Sequence, residues 1–195
     1  MNLSLDRDYW SARYKHNQTG WDIGEASTPI KQFLDQVKDK SLKILIPGAG
    51  NAHEAAYAYN LGFKNVFILD FATLPLDNFK RSYPSFPSDQ LCCEDFFEHE
   101  GSYDLILEQT FFCALDPSLR SKYAKKMSSL LENDGVLAGV LFNRNFTHEG
   151  PPFGGSKEEY LRYFEPYFDI DIMETCYNSI PPRQDSELFI RMLRV

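Results

Sequence analysis

The segment "PGAGN" (47–51) places Gly48 and Gly50 directly after the apolar run "SLKILIP" (41–47) and ahead of the alanine-rich "AHEAAYAYNLG" (52–62). Glycines let a backbone turn tightly and approach a flat ligand, and a helix that follows offers free N–H groups at its start. Asp70 closes the next apolar run, "NVFILD" (65–70), 22 residues after Gly48. At a spacing of about 20 residues such an acid reaches the hydroxyls of a ribose. Either feature alone is weak, since a GxG is often a mere tight turn and a strand-end aspartate often caps a helix. Together they describe a cradle for a nucleoside.

The type of nucleoside follows from what is missing. The dinucleotide fingerprint GxGxxG needs a third small residue beside the pyrophosphate, and here that position is His53. This disfavours a nicotinamide oxidoreductase and fits S-adenosylmethionine, a nucleoside without phosphates. In "CEDFF" (93–97), Asp95 can accept from an adenine amino group while Phe96 stacks on the ring. The same letters also read as an acidic surface turn with two core phenylalanines.

The elements that must hold these residues alternate. Strand patterns at 41–47, 65–70, 89–95, 103–109 and 135–142 are separated by helix patterns at 52–62, 75–83, 116–135 and 156–168. Asp116-Pro117 supplies an N-cap with proline at N1, and Ser156 with Glu159 has capping-box spacing. The runs 169–177 and 187–195 are strands joined without a helix and therefore pair antiparallel. The pattern predicts an α/β fold: a doubly wound, Rossmann-like, seven-stranded, mostly parallel sheet with an antiparallel edge strand and helices on both faces. Ligands of such sheets bind at the carboxyl ends of the strands where strand order reverses, which puts "PGAGN" at the site. The turn-rich loop "THEGPPFGGS" (147–156) is of the kind that moves or lines a site.

The 195 residues are expected to form one domain, with 43% hydrophobic, 15% aromatic and 25% charged residues. The balance of 20 basic and 28 acidic side chains gives a net charge of -8 without a basic stripe, so no nucleic-acid partner is expected. The sequence shows neither a signal peptide at "MNLSLDRDYW" nor an apolar stretch of about 18 residues, so the expectation is a cytoplasmic protein with no membrane partner. The four cysteines, Cys92, Cys93, Cys113 and Cys176, have no CxxC pair and no zinc-type Cys/His spacing. They read as core thiols, with no metal expected. A monomer is the default.

The sequence resembles the thiopurine, thiol and halide methyltransferases, a family that uses S-adenosylmethionine. The resemblance is carried by "DYWSARYKHNQTGWDIG" (8–24), "LIPGAGNAHEA" (45–55), Asp70, "CEDFF" (93–97), "LILEQTFFCALDPSLRSKYAKKM" (105–127), "GPPFGG" (150–155) and "NSIPPR" (178–183), nearly end to end. It implies that residues 1–30 cover the cofactor, with Trp10, Tyr14 and Trp21 over it. Aromatic faces attract a desolvated sulfonium by roughly 0.5–2 kcal/mol; without the resemblance these rings would read as packing for an N-terminal helix. It also implies that Gly48, Gly50 and Asp70 meet the methionine and ribose ends, Asp95 and Phe96 the adenine, and Gln109 the region near the methionine. Relatives often carry Arg or Tyr at the place of Gln109 and Trp at that of Tyr14. On the acceptor side the implied residues are Trp21, Phe153 and Arg183.

The expected function is methyl transfer from S-adenosylmethionine to a small soft nucleophile: a thiopurine-like thiol, hydrogen sulfide or a small thiol. Halide or selenium/tellurium acceptors are the alternative, and a non-catalytic S-adenosylmethionine-binding protein is the alternative of another class. The reaction needs no dedicated base, because the leaving group is already activated.

Overall fold

The computed structural model describes residues 4–195. In chain order, two helices come first, α1 (Arg7–Lys15) and α2 (Thr28–Gln36). The alternating body is β1 (Lys43–Pro47), α3 (His53–Asn60), β2 (Asn65–Leu69), α4 (Thr73–Ser82), β3 (Leu91–Cys92), β4 (Tyr103–Gln109), α5 (Arg120–Ser129) and β5 (Leu131–Phe142). It closes with α6 (Lys157–Phe164), β6 (Phe168–Thr175) and β7 (Glu187–Arg194).

Central strands covered on both faces read as continuous apolar runs, and "KILIP" is such a strand. Ile44 and Ile46 point into a cluster with Ile30, Leu34, Ala55, Val66 and Leu76, under α2, α3 and α4. Leu45 points the other way, into a cluster with Ile106, Tyr123, Met127, Tyr160 and Phe164, under α5 and α6. The sheet runs β3-β2-β1-β4-β5-β7-β6. All pairs from β3 to β5 are parallel, and β7 lies antiparallel between β5 and β6. The expected seven-stranded, mostly parallel sheet is thus present, with β7 inserted one place in from the edge. Because β1 has β2 on one side and β4 on the other, the chain winds away from it in both directions, and the crevice opens at the ends of β1 and β4.

Two expected boundaries are corrected, and two helices are added. The helix expected over 116–135 stops at Ser129, and Leu131 already pairs with Tyr103. The next rung is Leu105 with Val136, so Glu132, Asn133 and Asp134 leave the ladder into solvent, Asp134 with φ 61°. The strand expected over 89–95 is only Leu91–Cys92, because a 3-10 turn, Ser88–Gln90, occupies its start. The leader, to which the sequence analysis assigns no element, holds α1 and α2, the latter opened by Ser27 and Pro29 and burying Ile30 and Leu34.

Gly139 shows how tightly the centre is packed. A Cβ there would sit 2.1 Å from the backbone oxygen of Glu108 on β4. Overpacking of a core costs about 1–3 kcal/mol, and backbone cannot move aside as a side chain can. Gly139→Ala is therefore expected to lower stability by about 3 kcal/mol or more in urea unfolding, and an unchanged midpoint would contradict this packing.

Candidate active site

The glycine turn folds as its sequence requires. Gly48 and Gly50 have φ of 59° and 53°, a left-handed backbone that side chains resist. A Cβ on Gly48 would lie 2.2 Å from the ring of Phe111, and one on Gly50 would lie 2.5 Å from the hydroxyl of Tyr14. The glycines thus make room for protein neighbours as well as for a ligand. Asp70, 7% exposed at the end of β2, locks the turn: its Oδ2 accepts from the N–H of Gly50 at 2.9 Å and its Oδ1 from that of Ala72 at 2.8 Å. Burial pushes its pKa up, opposed by these backbone donors and that of Phe71.

The leader closes over this turn. In α1 no side chain is fully buried, and Asp6 caps the helix by accepting from the N–H of Tyr9 at 3.0 Å. Trp21 receives the rings of Trp10 and Tyr14 edge-on, at centroid separations of 5.4 and 5.7 Å. Burial raises the Tyr14 hydroxyl well above its usual pKa, so it stays protonated. Asp22 latches the segment to α3: it accepts from Asn51 Nδ2, meets His53 Nε2 at 2.8 Å and accepts from the N–H of Gly24 at 2.7 Å. Burial pushes Asp22 up, but the bonds from Asn51, Gly24 and His53 prevail and hold it below the usual carboxylate range.

Between leader and sheet lies a cavity of about 760 Å³. Its wall includes Trp10, Tyr14, Trp21, Gly48, Gly50, Asp70, Asp95, Phe96, Gln109 and Arg183, so ten of the expected site residues meet around one space. Phe96 is 5% exposed, packs on Phe111 and Tyr123 at 5.1 and 5.6 Å, and borders the cavity. Asp95 is exposed and accepts from the N–H of Phe97 at 2.8 Å. Gln109 accepts the Ser27 hydroxyl at 2.7 Å on its Oε1, leaving its amide group for the cavity. Ser27 in turn donates its N–H to the buried Glu54 at 3.0 Å, whose pKa burial raises.

Phe153 is corrected: it does not line the cavity. Its N–H donates to the Cys113 carbonyl at 2.7 Å, and the residues that reach the wall from this loop are Pro151 and Pro152. The loop is pinned behind them, because buried Arg120 donates to the Gly154 carbonyl at 2.7 Å and pairs with Glu159 at 2.6 Å. Arg183 spans the other side. It donates to the Trp21 carbonyl at 2.9 Å, lies 3.5 Å from Glu187 and sits 5.6 Å over the Phe142 ring. Arg144, Phe146 and Leu115 complete this corner. The cysteine expectation is corrected in part: Cys113 and Cys176 are buried, but Cys92 is only half-buried and Cys93 exposed, because β3 ends between them.

The expected set lacks Asp22, which latches the leader, the wall residues Leu115, Arg144, Phe146, Pro151 and Pro152, and a carboxylate beneath the wall. Glu108, fully buried on β4, accepts from the N–H groups of Phe111 and Phe112 at 2.8 and 2.9 Å and from the Tyr123 hydroxyl. It bends the chain so that Gln109 and Phe111 face the cavity while it stays beneath the wall. The available signal was an acid inside the apolar "LILEQ".

The fold and the cavity are those of a Rossmann-like methyltransferase. Over the whole chain the backbone superposes, at a TM-score of 0.81 and 15% identity, on 92% of the Burkholderia thailandensis 1,6-didemethyltoxoflavin-N1-methyltransferase, solved with its substrate and S-adenosylhomocysteine. The family model for thiopurine S-methyltransferase matches residues 5–191, and the chain belongs to that family of S-adenosylmethionine-dependent methyltransferases. Among curated relatives, the probable thiol methyltransferase 2 of Arabidopsis thaliana is 27% identical over 80% of this chain and 71% of its own. The thiocyanate methyltransferase 1 of Brassica oleracea is 28% identical over 98% and 87%. No helix among the described residues is long and apolar enough to cross a membrane.

Burial raises the pKa of Glu108 to about 7, against the stabilising bonds from Tyr123, Phe112 and Phe111. An acid raised on folding binds its proton more tightly in the folded state, so stability falls as pH rises from about 4.5 to about 7 and levels off above. At about 1.4 kcal/mol per unit this slope is worth up to about 3 kcal/mol. Asp70, Glu54 and Glu187 shift in the same direction. Glu108→Gln keeps an acceptor for both N–H groups and is expected to flatten the slope in urea unfolding between pH 5 and 8; an unaltered slope would show that Glu108 is not its source.

Proposed function

We propose that the chain transfers the methyl group of S-adenosylmethionine to a small soft nucleophile, a thiol or thiolate such as a thiopurine, hydrogen sulfide or a small thiol. When bound, the cofactor supplies a methyl group on a sulfonium, an electrophile whose leaving group is already activated. The observation that carries the reading is the composition of the cavity: a buried acid and a glycine turn at one end, aromatic faces above, and a half-buried guanidinium at the other end. The names of the thiol and thiocyanate relatives and of the family support a sulfur acceptor.

In this reading Asp70 accepts from the ribose hydroxyls, Phe96 and exposed Asp95 meet the adenine, and Gln109 offers its amide to the methionine end. Trp10, Tyr14 and Trp21 cover the sulfonium and keep water out. Trp21, Pro151, Pro152 and Arg183 surround the acceptor, replacing Phe153 of the sequence-based expectation. Arg183 draws a soft anion into an apolar corner by charge, and the loss of water there makes it more reactive. Orientation is the protein's main contribution, since the sulfonium is already an activated leaving group and the reaction needs no dedicated base. Cys113 borders the cavity, but burial raises its thiol far above the usual value, so it stays protonated and is no competing nucleophile. A cytoplasmic monomer belongs to the same proposal.

Two experiments test it. Asp70→Ala is expected to weaken S-adenosylhomocysteine binding in calorimetry by about 10–150-fold, the worth of a charge-assisted hydrogen bond, in protein whose unfolding transition confirms the fold. Unchanged affinity would remove Asp70 from the ribose. A turnover screen with labelled S-adenosylmethionine across hydrogen sulfide, small thiols, thiopurines and iodide is expected to give its highest kcat/KM on a sulfur acceptor. Silence on all of them would refute a soft-nucleophile enzyme, and preference for iodide would move the acceptor to halides.

A further inference from the structure

The connection from β3 to β4 gathers three metal-ligating side chains, of which Glu94 also borders the cavity while Cys92 and His99 lie behind it. The Sγ of Cys92, a carboxylate oxygen of Glu94 and a ring nitrogen of His99 lie within 4.8 Å of one another. The backbone brings them together: β3 ends at Cys92, and the Asp95 carbonyl accepts from the N–H groups of Glu98 and His99, both at 3.0 Å, which folds His99 back toward the strand end. His99 Nδ1 lies 2.5 Å from Glu94 Oε1, and Nε2 lies 2.8 Å from the Tyr103 hydroxyl. The imidazole is 5% exposed and the Glu94 side chain 48%, so the triad has a fixed inner member and an outer one open to solvent.

Thiolate, imidazole and carboxylate together are the donor set of zinc-type ions, and three protein ligands leave a fourth position for water. Bonds of about 2.0–2.3 Å put tetrahedral donors about 3.5 Å apart, which rotation of the exposed Glu94 carboxylate can reach. Tyr103 is the kind of partner that orients a ligating imidazole through its second nitrogen. The charge around the thiol also suits a cation, with Asp89 and Glu94 near it and Lys43 opposing them. Neighbouring Cys93 takes no part, since its Sγ turns to Thr73 Oγ1 at 3.5 Å. We propose that Cys92, Glu94 and His99 form a binding site for a divalent zinc-type ion, beside the turn that carries Asp95 and Phe96 to the cavity. The ion replaces the thiol proton, which passes to solvent, and the imidazole ligates through Nδ1 as the neutral tautomer whose Nε2–H donates to the Tyr103 hydroxyl. The cysteine spacing alone gives no hint of it, because the ligands come from a two-residue strand and the turn after it.

The test is titration of the full chain with Co2+ under a phosphine reductant. One equivalent is expected to give the thiolate-to-cobalt charge-transfer band with tetrahedral visible bands, both abolished by Zn2+. Cys92→Ser is expected to remove the charge-transfer band, Glu94→Gln to weaken binding at least about tenfold, as loss of a ligand should exceed the lower limit for an outer-shell partner, and Cys93→Ser to change neither. Absence of the band at equimolar Co2+, its survival in Cys92→Ser, its loss in Cys93→Ser, or unchanged affinity in Glu94→Gln would each overturn the site.

Discussion

A carboxylate buried at the end of β2 must find donors, and Asp70 finds them in the backbone of Gly50 and Ala72. The bond to Gly50 fixes a left-handed turn, and the absence of a side chain there admits the Tyr14 hydroxyl. Tyr14 carries Trp21, and the carbonyl of Trp21 accepts from Arg183, more than 160 residues further on. Glycine turn, leader and the Arg183 corner are therefore mechanically continuous, and a change at Asp70 reaches past the glycine turn. The carboxylate at Asp70 is a backbone clamp, so any ligand it meets shares one pair of oxygens with Gly50 and Ala72.

The opposite bank of the crevice rests on the same device with a different outcome. Glu108 at the end of β4 also answers backbone N–H groups, those of Phe111 and Phe112, but a tyrosine hydroxyl takes its second oxygen and the cavity never reaches it. Asp70 is thus a carboxylate on the wall and Glu108 one within it. The positions explain the difference: Asp70 is the residue after its strand, whereas Glu108 precedes the last residue of its own and points inward. Gln109, one residue on, faces the opposite way, as strand alternation requires.

The parallel half of the sheet was legible in the sequence because buried strands are continuous apolar runs ended by turn residues; Tyr103–Gln109 matches its expected span residue for residue. The glycine turn and Asp70 were legible for the same reason, since their roles follow from strand ends. Boundaries failed where tertiary pairing overruled local pattern, as when Leu131 joined β4 and ended a helix expected to run to Gly135. The leader was legible only through resemblance: α1 buries no side chain completely, so its period carries little signal. Phe153 was misplaced because the resemblance carried by "GPPFGG" marks the loop but not which of its residues faces inward; there the pinning by Arg120 and Cys113, distant in sequence, decides.

The two ends of the cavity differ in how they are held. The end at Asp70 stands on strand termini whose neighbours are fixed by the ladder, so its geometry is inherited from the sheet. The end at Arg183 draws Trp21, Phe142, Arg144, Pro151 and Arg183 from the leader, a strand end and two loops, joined mainly by side-chain contacts such as Arg183 with Glu187. A substitution in such loops shifts pocket shape and charge without disturbing a rung of the sheet. Arg183 is the exception, because it also secures the cover through Trp21. Exchange of that guanidinium would loosen the leader together with changing the charge of this wall, whereas exchange of Arg144, an exposed residue stacked on Phe146, would change the wall alone.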